Sequence, residues 1–305
     1  MSEEMMNTKE LAKFLGIHEK QVYALTAAQR LPGTRITGKW VFPRKLIEDW
    51  IETNAKTGLE QAKQKTRKME YALLAAGSND LILDLLQTQM KRTYPEFFMF
   101  SASVGSTEGL KALNTGYTDI AWSHLFDAKS GEYNIPFLSL YTPNIKPVVV
   151  NLFHRQIGFV VAQKNPLGIK GFKDLARKDV KFVNRQKGSG TRVLLDHNLK
   201  ELSIPASQIK GYDNESYTHL EVGQAVHSKE ANVGIATVAV ANLFGLDFIP
   251  IRDEQFDMVL DQATFFEPAV QAFIEVLRSN DFHKRVAKLG NYNFKDSGKI
   301  LYSSK

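Results

Sequence analysis

The first fifty residues change hydrophobic period twice. Asn7 precedes Thr8-Lys9-Glu10, a cap residue with a glutamate three positions on, and Leu11, Phe14 and Leu15 follow at helical spacing, which predicts a first helix. Gly16-Ile17 breaks it, and Val22, Tyr23 and Leu25 predict a second helix from His18 to about Ala28. Arg35 to Phe42 reads as two strands turned at Thr37-Gly38, followed by Pro43 and a short helix from Lys45 to Thr53. The order is helix, turn, helix, wing, helix.

From residue 54 to 70 the apolar pattern stops. The stretch NAKTGLEQAKQKTRKME is polar and rich in lysine and glutamine, and predicts a linker or an exposed helix. Beyond it, strand-like runs alternate with amphipathic ones: Ala72 to Ala76 then Leu81 to Met90, Phe97 to Ala102 then Leu110 to Leu113, Val180 to Val183 then Val193 to Leu202. That alternation predicts an α/β domain with largely parallel strands. The chain therefore divides into a small unit (1–53), a linker (54–70) and a large domain (71–305).

Composition narrows what these units do. At 305 residues and 43% hydrophobic content, two domains can each bury a core. With no cysteine, disulfides, thiolate zinc sites and cysteine nucleophiles are excluded. No window approaches the roughly 18 consecutive apolar residues of a membrane span, and the polar, acidic start Met1-Ser2-Glu3-Glu4 is unlike a secretory leader, so a cytoplasmic location is expected. The net charge of +6 is unevenly placed: residues 1–70 carry 13 Lys and Arg against 9 Asp and Glu, a net of +4, which leaves +2 for the rest. The basic bias belongs to the small unit and its linker.

In the large domain, three strand-to-helix junctions share one chemistry: Gly77-Ser78-Asn79-Asp80, Val104-Gly105-Ser106-Thr107 and Lys187-Gly188-Ser189-Gly190-Thr191. Each offers free backbone N–H groups and a hydroxyl at a helix start, where the helix dipole favours negative charge. One such junction is an ordinary turn and cap. Three at the carboxyl ends of strands point to an anion or polar-ligand site. The third is not a nucleotide-phosphate loop, because Lys187 precedes the glycines and no Gly-Lys-Ser/Thr follows. Asp80 could serve as a proton acceptor for a ligand or as a helix cap. His124 and His154, with Asp119 and Asp127, fit no standard metal-ligand spacing. No nucleophile elbow or spaced carboxylate pair marks catalysis, so no catalytic residue is expected.

Residues 5 to 53 resemble the excisionase or MerR-type winged helix-turn-helix in MNTKELAKFLGI, VYAL, RITGKWVF and IEDWIE. The resemblance implies binding to double-stranded DNA, with His18, Lys20, Gln21 and Thr26 of the second helix toward the major groove. Arg35, Lys39 and Arg44 would meet phosphates or the minor groove. Relatives often begin the second helix with Ser or Thr, from which His18 departs.

Residues 71 to 305 resemble the periplasmic-binding-protein-like domain of molybdate/tungstate-type binding proteins, in a regulator-fused cytoplasmic form. AGSNDLILDLL, SVGSTEGLKALNTGYTDIAWSHL, GEYN, FVNRQKGSGTRVLLD and THLEVGQAVHSKEANVGIA carry the likeness. It implies a type II, two-lobed α/β fold with a cleft between lobe one (71–156 and 246–305) and lobe two (157–245). Ser78 and Ser106, flanked by Asn79 and Gly105, match the serines that hold the oxyanion from lobe one. Gly188, Ser189, Gly190 and Thr191 would supply donors from lobe two. His219 matches a helix-start position, and Thr237 stands where transport-type relatives often carry tyrosine. Asn184, Arg185 and Arg192 are further candidates, the two arginines being open between ligand binding and structural ion pairing.

Tungstate, molybdate and sulfate are fully ionised near neutral pH and need donors only, whereas phosphate usually keeps a proton and wants an acceptor as well. The reading is a homodimeric, one-component transcription regulator sensing tungstate or molybdate as effector, with no cofactor, no protein-coordinated metal and no membrane partner. The alternatives are a regulator sensing another small anion, a solute-binding protein of an ABC transporter, and an enzyme on the same fold. The DNA-binding unit and the lack of a leader weigh against the transporter reading, and the lack of a catalytic set against the enzyme.

Overall fold

A computed structural model describes residues 5–56 and 71–304, and the chain separates into two compact units, Met1–Glu70 and Tyr71–Lys305. In the first, β1 (Met5–Asn7) leads into α1 (Thr8–Leu15) and α2 (Glu19–Ala27), then β2 (Thr34–Ile36), β3 (Lys39–Pro43) and α3 (44–56). Asn7 caps α1 as its pattern predicts: its side chain accepts from Lys9 and Glu10 amides while Glu10 accepts the Asn7 amide at 2.8 Å. Gly16 ends α1 at φ 67, a left-handed position that a Cβ would disfavour. The wing forms as expected, but β3 also pairs with β1, a short strand that three residues of sequence did not announce. Leu11, Val22, Phe42 and Ile47 make the core, with Trp40 and Trp50 packed against it. α3 runs past Thr53 into the expected linker, of which residues 57–70 lie outside the described residues.

The second unit is built on one curled, mixed sheet. Its elements are β4 (Ala72–Gly77), α4 (Leu81–Thr93), β5 (Phe98–Ser103), α5 (Ser106–Asn114), β6 (Ile120–Ser123), α6 (Leu138–Tyr141), β7 (Pro147–Val161) and β8 (Phe182–Arg185). After these come α7 (Gly190–Glu201), β9 (Glu215–Ser216), α8 (His219–His227), β10 (Val233–Thr237), α9 (Val238–Phe244) and β11 (Asp247–Asp261). The chain closes with α10 (Gln262–Phe265), α11 (Pro268–Arg278), α12 (Asn280–Val286) and β12 (Ile300–Ser303). The strand order is β5-β4-β6-β11-β7-β10-β8-β9, with β12 beside β7.

The pairs β4–β5, β4–β6, β8–β10 and β8–β9 are parallel, as the strand–helix alternation predicts. The expectation of a largely parallel sheet fails at its centre, where the 15-residue strands β7 and β11 pair antiparallel along their length and both cross from one lobe to the other. A strand buried on both faces reads as a continuous apolar run, which hides its direction. Leu73, Trp122, Phe153, Phe256 and Phe273 belong to the core of lobe one. Phe159, Phe182, Leu195 and Val233 form one core of lobe two, and Val160, Val222 and Val240 a second. Leu246, Phe248, Ile249 and Ile251 pack against these lobe-two cores, so β11 changes lobe near residue 252 and not at 246.

Candidate ligand cleft and DNA-reading surface

The three Gly-Ser junctions converge between the lobes. Ser78 follows β4 and Ser106 opens α5, and their hydroxyls lie 2.6 Å apart, both buried. The Ser106 Oγ also accepts the His124 amide at 3.2 Å. From lobe two, Ser189 caps α7 by accepting the Arg192 amide, and Gly190 and Thr191 form its first turn. The Thr107 amide donates to the Gly188 carbonyl at 3.2 Å, which joins the two lobes directly. A Cβ on Gly190 would stand 2.6 Å from the His124 ring, so only glycine lets α7 approach lobe one this closely.

Beneath these donors lies a buried charge network that the sequence did not reveal. Arg155 on β7 and Glu254 on β11 are register partners at the lobe crossing. The Arg155 guanidinium binds Asp80 Oδ2 at 2.6 Å and Glu254 at 2.8 Å, lies over the Phe256 ring, and faces His219 Nε2 at 3.4 Å. Although burial opposes it, Glu254 and Asp80 hold Arg155 above its ordinary range. Glu254 accepts a further contact from His124 Nδ1 at 2.7 Å. Burial works against Glu254 ionisation, yet His124 and Arg155 hold its carboxyl down at about 2. Burial, helped by Arg185 and Arg155, keeps the His219 ring well below its usual range, and burial likewise lowers His124. The His219 ring is therefore neutral near pH 7.

Arg185, at the end of β8, is the counterpart of Arg155. It is 3% exposed, and its Nε and Nη2 donate to the Gln186 side chain and to the carbonyls of Ser216 and Tyr217. Among the described residues no carboxylate pairs with it, and its Nη1 makes no hydrogen bond within the protein. Burial, with the Arg155 charge adding to it, pushes this guanidinium down to about 9, which still leaves it cationic at neutral pH. The Thr191 hydroxyl is also buried without a partner. A cation, a hydroxyl and helix-start amides without an internal acceptor form an arrangement suited to an anion.

The remaining candidates divide. Asp80 caps α4 by accepting the Ile82 amide and also takes the Tyr292 hydroxyl at 2.8 Å, so with Arg155 both its oxygens are engaged. Asn79 contributes its carbonyl to Arg155 at 3.3 Å. Asn184 is tied to the Tyr212 carbonyl and the Arg185 amide, a role in holding β8. Arg192 is ion-paired with Asp196 and Glu215 and stacked over Tyr212, which places its charge in a structural pair. Gly105 caps α5, its amide donating to the Gly77 carbonyl at 2.9 Å, and Thr237, buried at the end of β10, caps α9 through its backbone. His124 and His154 do not meet: the first binds Glu254 and the second Asp296. One signal in the sequence could have found Arg155, a charge set inside the apolar run PVVVNLFHRQIGFVV.

A profile of the PBP superfamily domain matches residues 87–278, and one of a helix-turn-helix domain matches residues 5–55. The chain belongs to the PBP superfamily. The uncharacterised Bacillus subtilis (strain 168) protein YvgK is 29% identical over 300 residues, covering 96% of each chain. A Clostridium perfringens structure described as a phosphate ABC transporter substrate-binding protein with bound phosphate superposes at TM-score 0.54, with 15% identity over 71% of this chain and 97% of that one. The structure of the tungstate ABC transporter from Geobacter sulfurreducens gives TM-score 0.52 and 15% identity, covering 72% of this chain and 99% of that one. These two likenesses establish the fold of this PBP-superfamily member.

Ahead of the PBP domain, the helix-turn-helix unit presents a mixed surface. His18 and Lys20 are exposed at the start of α2, while Gln21 turns back to accept the His18 amide at 3.0 Å. Thr26 corrects an expectation: it is buried and its hydroxyl binds the Val22 carbonyl at 2.7 Å, so it offers nothing to a groove. Tyr23, one of the apolar residues that predict this helix, is 50% exposed. Arg35 and Lys39 are exposed on the wing, Arg35 lying over Trp40, while Arg44 lies over Phe14 and pairs with Glu48. Among the described residues no helix is long and apolar enough to cross a membrane.

Proposed function

We propose that the chain is a one-component transcription regulator whose PBP-type domain senses a small, fully ionised oxyanion, tungstate or molybdate foremost. The observation that carries this reading is Arg185, a buried cation without a carboxylate partner among the described residues, whose charge is felt by His124, the residue whose amide binds Ser106. Asp80 and Glu254 are both already engaged by Arg155 and its neighbours, which disfavours either as the acceptor for the proton of hydrogen phosphate. The tungstate and phosphate proteins that share the fold are consistent with an anion of this class.

In this reading the anion occupies the donors of both lobes, stabilises their apposition, and biases how two DNA-reading units are spaced in a homodimer. The fused helix-turn-helix domain favours a regulator over a transporter's solute-binding protein. Calorimetry with tungstate, molybdate, sulfate and phosphate tests the assignment: heat is expected with the first two, and no heat with any of the four sinks it. Ser106→Ala should weaken that binding and leave DNA binding intact; the opposite pattern removes Ser106 from the site.

A further inference from the structure

We infer that the PBP domain carries a second anion site, for a small carboxylate with an apolar body, in the groove at the flank of the lobe crossing. This groove of about 260 Å³ is lined by Phe126 from lobe one, Arg252 and Ile251 from β11, and Leu194, His197 and Asn198 from α7 of lobe two. The Arg252 guanidinium lies 3.5 Å over the Phe126 ring and 5.9 Å from that of Tyr133. Its Nε is buried and makes no hydrogen bond, and among the described residues no carboxylate pairs with it. Arg177, by contrast, is partly exposed and bridged to Asp179 at 2.7 Å.

A guanidinium held over an aromatic face loses little further freedom when a ligand arrives, and its rigid fork of donors matches the two oxygens of a carboxylate. The side chains of Leu194 and Ile251 offer apolar surface beside that fork, and His197 adds a second polar group across the groove. This pairing of an oriented cation with apolar walls suits an organic carboxylate better than a tetrahedral inorganic anion, whose every side needs donors. Because the groove is bordered by both lobes, its occupant would tie them from outside the oxyanion site.

Calorimetry on the full chain with benzoate, uncharged benzamide and inorganic phosphate tests the inference. Benzoate should bind and benzamide should not; Arg252→Ala should weaken benzoate binding by about tenfold or more, the loss of one charge-assisted contact. If that variant fails to fold, Arg252→Gln removes the charge while keeping the stem packed on Phe126. Tungstate binding should be unchanged in either. No benzoate binding at millimolar concentration, equal binding of benzamide, phosphate displacing benzoate, or unchanged affinity in the Arg252 variants overturns it. Benzoate binding without any oxyanion binding would sink the function proposed above and leave this site standing.

Discussion

Two buried guanidinium groups at the same cleft meet opposite fates. Arg155 sits on the strands that cross between the lobes and is matched by Asp80 and Glu254, with its charge neutralised inside the protein. Arg185 sits on the lobe-two wall, as deeply buried, and is held only by neutral acceptors. Burial alone does not separate them. A matched charge is part of the scaffold, whereas an unmatched one is a cost to the empty protein that an incoming anion can offset. Asp257 supplies the negative mirror image: a fully buried carboxylate held by the amides of Asn134, Asn151 and Gln255 and by no cation, its pKa raised by burial to about 6.

The contrast can be broken at four points. Glu254→Ala should cost about 3 to 5 kcal/mol of stability in denaturant unfolding, because it leaves the buried Arg155 with Asp80 as its one carboxylate and the His124 Nδ1 without its acceptor. Asp257 has its folded pKa raised from 3.8 to about 6, so its stabilising share is present below pH 3.8 and lost as pH rises through about 6. That share amounts to roughly 3 kcal/mol. Unfolding measured from pH 4 to 7 should show a fall in stability that Asp257→Asn removes; an identical slope in both proteins would disprove it. Arg185→Met should leave stability within about 1 kcal/mol while weakening oxyanion binding by about a hundredfold or more. Lys20→Ala touches only a solvated charge, and should weaken DNA binding a few-fold across all sequences while lowering the salt slope by about one.

Local chemistry was the legible part of the sequence. The Asn7–Glu10 cap, the Gly16 stop, the Thr37-Gly38 wing turn and the hydroxyl-bearing helix starts are written within a few neighbouring residues, and the structure holds each of these elements. What escaped is long-range. Glu254 meets Arg155 across 99 residues and His124 across 130, partnerships that strand register creates and no local pattern records. The same limit explains Arg185 and Arg192, seven positions apart and equally basic in the sequence, of which only Arg192 finds acids when the chain folds. Thr26 turned inward because α2 is short and only weakly amphipathic, leaving its orientation to packing on α1 and the wing.

The unmatched charge of Arg185 is the centre of this account, and a tungstate titration of the wild-type chain beside Arg185→Met, with thermal unfolding of both, tests it most directly. The account predicts heat of binding and a raised melting temperature in the wild type, and in a variant that remains folded an affinity about a hundredfold or more weaker with a correspondingly smaller rise in melting temperature. Undiminished tungstate binding by Arg185→Met would contradict it.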